Sequence, residues 1–353
     1  MRTLILAAGR FGPEHGAAIA SGREPRLDVF ELARELDATV LDYRAVDAAE
    51  NPAIRLLARR LGDSPLLAAV GFGRRHEFDA VLTTGEDIGI PLAALLQGSR
   101  ANVSHTMIAH TLSPAKKRAF FDLLGVERRM DRILAYSTSE ERHIVDRLRI
   151  PAEKVQRIYF HADTQFFRPD PRPAERDLVC AAGQLLRDYD TLIDAVRGLP
   201  VRLEIAAGSP WIAHDLAPSR PLPEGVSWGK RDRHALRELY ARAAIAVVPI
   251  VENDYQTGIA TILEMMAMGK CVVATRTRGQ TDTIVDGETG VYVSPGDARA
   301  LRAAIERLLA DPAEAARLGR GARAFVEREA TLERFVERVA TAVRDGHRAR
   351  SGR

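Results

Sequence analysis

The feature that most constrains the fold of this chain is a regular alternation of short apolar runs with amphipathic segments. In the first half, apolar runs of strand type lie at residues 3–6, 38–41, 80–83, 103–109 and 133–135. Segments with helical spacing lie at residues 27–36, 53–70, 88–97, 114–124 and 138–148. Because strands that alternate with helices form parallel sheets with right-handed crossovers, the pattern predicts a doubly wound α/β domain.

A proline cluster interrupts this alternation. The segment Arg168–Pro173 has three prolines in its last five residues, a density that neither a helix nor a central strand accommodates. The alternation then restarts, with strand-like runs at 178–181, 202–206, 244–248, 271–274 and 290–293. We therefore predict two Rossmann-like domains, at 1–167 and 174–330, followed by a helix and basic tail at 331–353, and we expect the tail from Arg344 to fray.

Composition narrows the class of protein. Hydrophobic residues make up 46% and charged residues 28% of the chain, and the net charge of +3 is too small to point to nucleic acid. No run of about 18 uncharged apolar residues exists to span a bilayer. Since Met1 and Arg2 lead directly into a strand-like run, we expect the chain to be cytoplasmic.

The segment from residue 249 to 295 carries most of the chemistry. A strand ends in a loop that contains Gly258, and a helix begins close behind it at Ile259. A glycine lets a phosphate approach the backbone, and a helix N-terminus offers free N–H groups and a positive dipole. Within this helix, Glu264 is flanked by apolar residues, and its carboxylate could accept hydrogen bonds from two vicinal ribose hydroxyls or instead bind a neighbouring cation.

The run PIVENDYQTGIATILEMMAMGKCVVATRTRGQTDTIVDGETGVYVSP resembles the donor region of GT-B glycosyltransferases, especially the retaining family 4 enzymes. These have a Glu, seven residues and a second Glu, and the second matches Glu264. In this chain the first of these positions holds Gln256. The Glu that the family has at this position contacts the donor sugar. The resemblance implies an altered sugar contact, weaker activity, or a role shared with Asp254 or Glu252.

The resemblance extends through the second half of the chain. The run VSWGKRDRHALRELYARAAIAVVP is similar to the segment whose loop contacts the nucleobase, here around Trp228 to Arg231. The run AAGQLLRDYDTLIDAV resembles the turn and helix that hold the diphosphate. The family usually has an Arg directly after this glycine and a Lys a few residues on, whereas Gly183 is followed here by Gln184. Arg187 is the only cation nearby, so we assign it to the diphosphate, with Lys230 or Arg231 in support. Arg187 could instead be a surface residue at a helix start.

In the first half, SHTMIAHTLSP resembles the strand that ends in the catalytic histidine of the family. His110 matches better than His105 because it falls where the strand ends, although a buried structural histidine is the alternative. The opening segment LILAAGRFG looks like the first motif of the sugar-1-phosphate nucleotidyltransferases. That motif is followed by a lysine that binds the phosphate and the sugar, whereas the first lysine of this chain is Lys116. The resemblance instead implies that the turn at Gly12 approaches the donor phosphate or the acceptor.

The resemblance implies the GT-B fold, in which two domains face across a cleft and a C-terminal helix crosses back. It implies transfer of a sugar from a nucleoside-diphosphate sugar to an acceptor hydroxyl, with retention. We expect no catalytic metal, although Asp188-Tyr189-Asp190 is an Asp-x-Asp motif. The rival hypotheses are a weakly catalytic sugar-nucleotide-binding or scaffold protein, and a GT-B phosphorylase or sugar-nucleotide epimerase.

The acceptor is not identified by the sequence. The helix predicted at 114–124 has Lys116 to Arg118 beside four apolar residues, so it could contact an anionic membrane surface and reach a lipid-linked acceptor. Plain packing of its apolar face into the core is the alternative. A glycan or a small molecule would serve equally well as acceptor.

Overall fold

The computed structural model describes residues 1–48, 60, 62–208 and 216–352. Two compact units are present. Unit 1 comprises residues 1–17, 26–159 and 333–353, and unit 2 comprises residues 18–25 and 160–332.

Unit 1 contains a six-stranded parallel sheet with the order β2-β1-β3-β4-β5-β6. Its strands are β1 (Thr3–Leu6), β2 (Ala38–Leu41), β3 (Ala80–Thr83), β4 (Ser104–Ala109), β5 (Arg132–Ala135) and β6 (Val155–Arg157). Every residue of β1, β3 and β4 is buried, as expected for central parallel strands that are covered on both faces. The first five strands were predicted, whereas β6 was missed because it is short and only partly buried.

Helices connect these strands. Between residues 1 and 159 they are α1 (Pro13–Ala20), α2 (Asp28–Leu36), α3 (Tyr43–Asp47), α4 (Asp63–Gly73), α5 (Glu86–Gln97), α6 (Ala115–Leu124) and α7 (Thr138–Arg142), and α7 continues into a π-helical turn at His143–Arg147. Residues 53–59 and 61 of the helix predicted at 53–70 lie outside the described residues. The core forms where apolar faces of α4 and α5, for example Leu67 and Ile88, pack on Leu6 and Val81.

Unit 2 contains a second six-stranded parallel sheet, with the order β12-β11-β10-β7-β8-β9. Its strands are β7 (Glu175–Ala182), β8 (Arg202–Ala206), β9 (Val226–Gly229), β10 (Ala243–Val248), β11 (Val272–Thr275) and β12 (Val291–Val293). Its helices are α8 (Tyr189–Val196), α9 (Arg233–Arg242), α10 (Ile259–Ala267), α11 (Ala298–Ala310) and α12 (Pro312–Glu329). The fold class predicted from the alternation is confirmed: each unit has a parallel sheet with helices between its strands.

Residues 160–167 belong to unit 2, whereas the sequence analysis placed them in the N-terminal domain. The backbone N–H of Ala162 donates to the carbonyl of Ala330 over 2.9 Å. The ring of Phe167 is fully buried, with its centroid 6.3 Å from that of Tyr240. These contacts attach residues 160–167 to unit 2, and they could not be inferred from the positions of the prolines that follow.

The last helix, α13 (Leu332–Ser351), returns to unit 1 from residue 333 onward. The expectation that the tail frays from Arg344 is wrong, because helix continues to residue 351. Arg350 Nε lies 2.8 Å from Oδ2 of the buried Asp131. Gly346 lets the helix approach the sheet so closely that an added Cβ would lie 3.5 Å from that of Asp131. An ion pair and a close backbone approach therefore order the tail.

No helix among the described residues is both long and apolar enough to cross a membrane. The two cysteines, Cys180 and Cys271, are free and buried, and burial raises the pKa of each thiol to about 12. Both therefore behave as small apolar side chains of the core, as the sequence predicts.

Candidate active site

The loop between β10 and α10 ends at Gly258, which has a φ of +80° and precedes the first residue of α10, Ile259. Only glycine adopts this conformation easily. An added Cβ on Gly258 would lie 3.2 Å from Arg187 Nη1 and also 3.2 Å from a methyl group of Val248. The first N–H groups of α10 and the guanidinium of Arg187 therefore meet at this glycine.

Arg187 reaches this position from the loop after β7. Its Nε and Nη1 donate to the carbonyls of Ala182 and Leu185, each over 2.9 Å, and its Nη2 donates to Thr261 Oγ1 over 3.2 Å. All three acceptors are neutral, so the positive charge is held in place without being neutralised by them. Burial lowers the pKa of this guanidinium. The side chain is partly buried and lies just before α8, so it is held by these three contacts rather than extended into solvent.

Gly183 makes the approach of Arg187 possible. Its φ is +100°, and an added Cβ would overlap the guanidinium of Arg187. The structure thus brings together Gly183, Arg187 and Gly258, which the resemblance assigned to the diphosphate. An arginine at a helix N-terminus between two glycines is suited to bind an anion.

Glu264 lies on α10 and is buried, with its side chain 10% exposed. Its Oε1 accepts from Arg233 Nη1 over 2.9 Å, and its Oε2 lies 3.4 Å from the hydroxyl of Tyr240. Burial raises the pKa of Glu264, and the charge and hydrogen bond of Arg233 oppose this rise. The ion pair that the sequence analysis kept as an alternative for Glu264 is present.

Sequence reasoning missed Arg233 as a partner of this carboxylate. Asp232 caps α9 by accepting from the N–H of Ala235 over 2.7 Å, which places Arg233 in the first helical turn. The cap was visible in the sequence as an Asp before a helical segment. Which of the neighbouring cations would face α10 was not visible.

Lys230 and Arg231, the two cations predicted to support diphosphate binding, have different surroundings. Arg231 donates to Glu204 Oε2 over 2.5 Å, and Arg242 binds Oε1 of the same carboxylate over 2.9 Å. The stem of the exposed Lys230 lies 3.3 Å from where a Cβ on Gly208 would stand, at the end of β8. The charge of Arg231 is therefore engaged by Glu204 on β8, which the basic run alone did not indicate.

Gln256 stands where the family has its first Glu, and it is only 9% exposed. Its Nε2 donates to Thr283 Oγ1 over 3.4 Å, and that hydroxyl donates to Gln280 Oε1 over 3.2 Å. Its Oε1 has no hydrogen-bond partner among the residues that the structure describes. The amide thus has a buried acceptor that is available to a ligand.

The two carboxylates considered as substitutes for a Glu at position 256 are engaged elsewhere. Arg278 Nε lies 2.6 Å from Asp254 Oδ1, and the N–H of Arg278 donates to Glu252 Oε1 over 3.0 Å. Both carboxylates are also well exposed. A role shared with Gln256 would require them to leave Arg278.

In unit 1, His110 follows β4 directly and its side chain is 51% exposed. Its Nδ1 lies 3.3 Å from Glu86 Oε2, and its ring meets that of Tyr136 edge to face, with centroids 5.3 Å apart. His105, in contrast, is fully buried, binds Thr83 Oγ1 over 3.0 Å, and has a pKa lowered to about 4 by burial. The buried structural histidine of this strand is His105, and the exposed one is His110.

The turn after β1 is occupied by charged side chains. An added Cβ on Gly12 would overlap the carboxylate of Glu14, and Arg10 forms ion pairs with Asp47 and Asp63 over 2.9 and 2.8 Å. The Glu14 side chain is 71% exposed, so a ligand that approached Gly12 would require only that this side chain rotate away.

The Asp-x-Asp motif begins a helix. Asp188 caps α8 by accepting from the N–H of Thr191 over 3.2 Å and from its hydroxyl over 2.7 Å. Asp190 accepts from the hydroxyl of Ser219 over 2.6 Å. The motif thus has a local structural role that accounts for both carboxylates.

Comparison with known proteins gives a family match in unit 2. Residues 177–311 match the family model described as glycosyl transferases group 1. The D-inositol 3-phosphate glycosyltransferase of Stackebrandtia nassauensis is 27% identical over 270 residues, which is 65% of this chain and 60% of the relative. The MMP alpha-(1->4)-mannosyltransferase of Mycolicibacterium hassiacum is 27% identical over 286 residues, which is 74% of this chain and 69% of the relative.

Solved structures match over nearly the whole chain. Sucrose-phosphate synthase from Thermosynechococcus elongatus superposes with a TM-score of 0.73 at 19% identity, covering 99% of this chain and 100% of the other. HepE from Anabaena, solved in complex with UDP-glucose, gives a TM-score of 0.69 at 16% identity, covering 96% and 98%. The aligned region spans only 60% of the length of the Stackebrandtia relative. Residues 177–311 therefore resemble the group 1 glycosyltransferases, and the chain as a whole has the GT-B fold.

Proposed function

We propose that this chain transfers a sugar from a nucleoside-diphosphate sugar to an acceptor hydroxyl, with retention of configuration and without a catalytic metal. The observation that carries the proposal is the placement of Arg187. Its charge is held by neutral acceptors at the N-terminus of α10, between Gly183 and Gly258. A diphosphate leaving group develops negative charge, which such a site stabilises.

The parts of the site divide the work of this reaction. Arg187 and the N–H groups that begin at Ile259 would stabilise the leaving diphosphate, with Lys230 in support. Each such contact would lower the activation barrier by about 2 to 4 kcal/mol. Glu264 would accept hydrogen bonds from the ribose hydroxyls, and His110 would position the sugar or the acceptor hydroxyl. The complex of the Anabaena neighbour with UDP-glucose supports this class of donor.

Metal independence is part of the proposal. The carboxylates of the Asp-x-Asp motif cap α8 and bind Ser219, so they have roles that require no cation. Neutralisation of the leaving group is then left to Arg187 and the helix N-terminus, which are already positioned.

Gln256 gives the donor-sugar contact a neutral character. The bond from its Nε2 to Thr283 orients the amide, and Oε1 is buried with no partner among the described residues. A sugar hydroxyl that donates to Oε1 would satisfy this acceptor. We propose that Gln256 contacts the donor sugar by accepting rather than by carrying a charge.

We further propose that α6 makes peripheral contact with an anionic membrane surface. Leu123 and Leu124 are 82% and 51% exposed, and Lys116 is exposed beside them. Phe121 is buried, and Lys117 binds Glu86 over 2.6 Å, so only part of the helix faces solvent. Leu123→Glu should abolish sedimentation with vesicles that contain acidic phospholipid, and equal sedimentation of both proteins would overturn this contact.

A product analysis tests the transfer itself. The protein is incubated with UDP-, GDP-, ADP- and TDP-sugars and candidate acceptors, and NMR of the product reports the anomeric configuration. Release of one diphosphate with a retained anomer is expected. Dependence on inorganic phosphate would indicate a phosphorylase, and epimerised donor an epimerase. Saturable binding without turnover would indicate a binding or scaffold protein.

A further inference from the structure

The segment after β4 is held by two buried carboxylates. The backbone N–H groups of His110 and Thr111 donate to Glu86 over 2.9 and 3.3 Å, and that of Leu112 donates to Glu140 over 2.6 Å. Glu86 and Glu140 are 4% and 3% exposed. Three consecutive N–H groups are thus bound by carboxylates on two different helices, which fixes the backbone that carries His110.

Glu86 also contacts the imidazole ring. Its Oε2 lies 3.3 Å from His110 Nδ1, and its Oε1 lies 2.6 Å from Lys117 Nζ. Burial alone would raise the pKa of Glu86, but the hydrogen bonds and charges of His110 and Lys117 outweigh it and lower the pKa to about 2. An ionised carboxylate only accepts hydrogen bonds, so the ring nitrogen that faces it must be the donor.

We propose that Glu86 is a positioning residue for His110: it holds the ring with the proton on Nδ1 and leaves Nε2 as the acceptor on the exposed side. The inference rests on the proposed role of His110 in the transfer and deepens it. The exposures fit this arrangement, since the His110 side chain is 51% exposed and that of Glu86 only 5%. Tyr136 limits rotation of the ring by meeting it edge to face.

The arrangement assigns a direction to the hydrogen bond that His110 can make. A neutral ring with its proton on Nδ1 accepts at Nε2, so it can bind a sugar or acceptor hydroxyl as that hydroxyl's acceptor. A ring with the opposite tautomer would present a donor instead. Because the other ring nitrogen is fixed by Glu86, the choice is made before any ligand arrives.

The charges around the carboxylate provide a matched control. Lys117 Nζ lies 2.6 Å from Glu86 and 3.3 Å from Asp87 Oδ1. Asp87 is 71% exposed, and among the described contacts its carboxylate has none with His110. Glu86→Leu and Asp87→Asn each remove one negative charge beside Lys117, but only the first removes the hydrogen-bond acceptor of the ring.

The test is the tautomer of His110, read from ¹⁵N–¹H multiple-bond spectra of histidine-labelled protein at alkaline pH. The chain has nine histidines, and the spectrum of His110→Gln assigns the signal. The proton is expected on Nδ1 in the native protein and in Asp87→Asn, and is expected to shift toward Nε2 in Glu86→Leu, which leaves the ring no acceptor at this position. A proton on Nε2 of the native protein, or an unchanged Nδ1 proton in Glu86→Leu, would overturn the proposal.

Two further measurements separate the possible failures. If Glu86→Leu does not fold, the tautomer of the native protein still decides, and Glu86→Asp, which draws the carboxylate back by one methylene group, should lower the fraction of rings protonated on Nδ1. In the transfer reaction, Glu86→Leu should lower kcat by about tenfold or more with little change in the donor KM. A native protein with the predicted tautomer but no turnover would contradict the proposed function and leave the role of Glu86 intact.

Discussion

Each of the two units has one candidate site side chain that is held in place by an ionisable side chain from another element. In unit 2, the presented group is the carboxylate of Glu264 and the partner is Arg233. In unit 1, the presented group is the imidazole of His110 and the partner is the carboxylate of Glu86. The difference lies in burial: the Glu264 side chain is 10% exposed and that of His110 is 51% exposed.

This difference has electrostatic consequences. Burial dominates at Glu264 and raises its pKa, whereas the partners of Glu86 dominate and lower its pKa to about 2. The comparison teaches that a buried carboxylate needs more than one cationic or N–H partner to stay firmly ionised. Donor binding should therefore depend on pH through Glu264, while the contact that Glu86 makes with His110 should keep its ionised carboxylate at any pH above about 4.

The largest effect is expected from Arg187, the cation placed at the N-terminus of α10. Arg187→Ala should lower kcat by about 30- to 1,000-fold, corresponding to about 2 to 4 kcal/mol of barrier, because the leaving diphosphate loses its positioned charge. Arg187→Lys should recover part of the rate. Steady-state kinetics measure both variants, and Arg197→Ala, at an exposed ion pair, is the control. A rate for Arg187→Ala equal to that of the control would contradict the assigned role.

A comparable effect is expected on stability from Glu140, the second carboxylate that holds the His110 segment. Burial raises the pKa of Glu140 from 4.5 to about 7. Between these values the folded state binds the proton more tightly than the unfolded state, so stability falls as pH rises, by up to about 3 kcal/mol. Denaturant unfolding from pH 4.5 to 7 measures this fall in the free energy of unfolding. The fall should be absent in Glu140→Gln and present in Glu141→Gln. The same pH dependence in both variants would show that another group is responsible.

A smaller effect is expected when the partner of Glu264 is removed. Without Arg233 the pKa of Glu264 should rise further. As the pH falls through that raised pKa, Glu264 becomes protonated and no longer offers an ionised carboxylate to the ribose hydroxyls. Arg233→Ala should therefore bind nucleoside diphosphate about tenfold more weakly on the acidic side of neutrality, corresponding to about 1.4 kcal/mol. Titration calorimetry at several pH values measures this, with Arg237→Ala on the same helix as control. A loss that is independent of pH would point to a direct contact of Arg233 with the ligand.

The smallest effect is expected at Gln256, where the chain departs from the family that it resembles. Gln256→Glu keeps the shape of the side chain but places a charge beside Thr283 and Gln280, which are fully buried. We expect the donor KM to change by less than about tenfold, since one neutral hydrogen bond is replaced by a charged one at a desolvation cost. A rate gain of several hundredfold would show that the substitution is a catalytic defect rather than an altered sugar contact.

Much of the fold could be predicted from the sequence because it depends on local patterns. The buried strands β1 and β3 are short, mostly apolar runs, which their length and β-branched residues identify, and β4 ends in the apolar residues Met107 to Ala109. The edge strands β6 and β9 were missed because they are short and only partly buried. The ordered tail was missed because the Arg350–Asp131 pair joins residues 219 positions apart.

The candidate site was predictable only in part, for a related reason. The meeting of Arg187 with Gly258 followed from resemblance to a family, and the structure places the two together. The partners Arg233 and Glu86 were missed because each lies on a different element from the group it holds. Sequence patterns identify residue types at turns and helix starts, but side-chain pairing between elements depends on their packing.

The measurement that tests the central claim most directly is titration calorimetry of the native protein with UDP, GDP, ADP and TDP, with and without magnesium. The account predicts saturable binding of one diphosphate, unchanged when magnesium is omitted, because Arg187 and the start of α10 supply the positive charge. Binding of none of the four, or binding that requires magnesium, would contradict it.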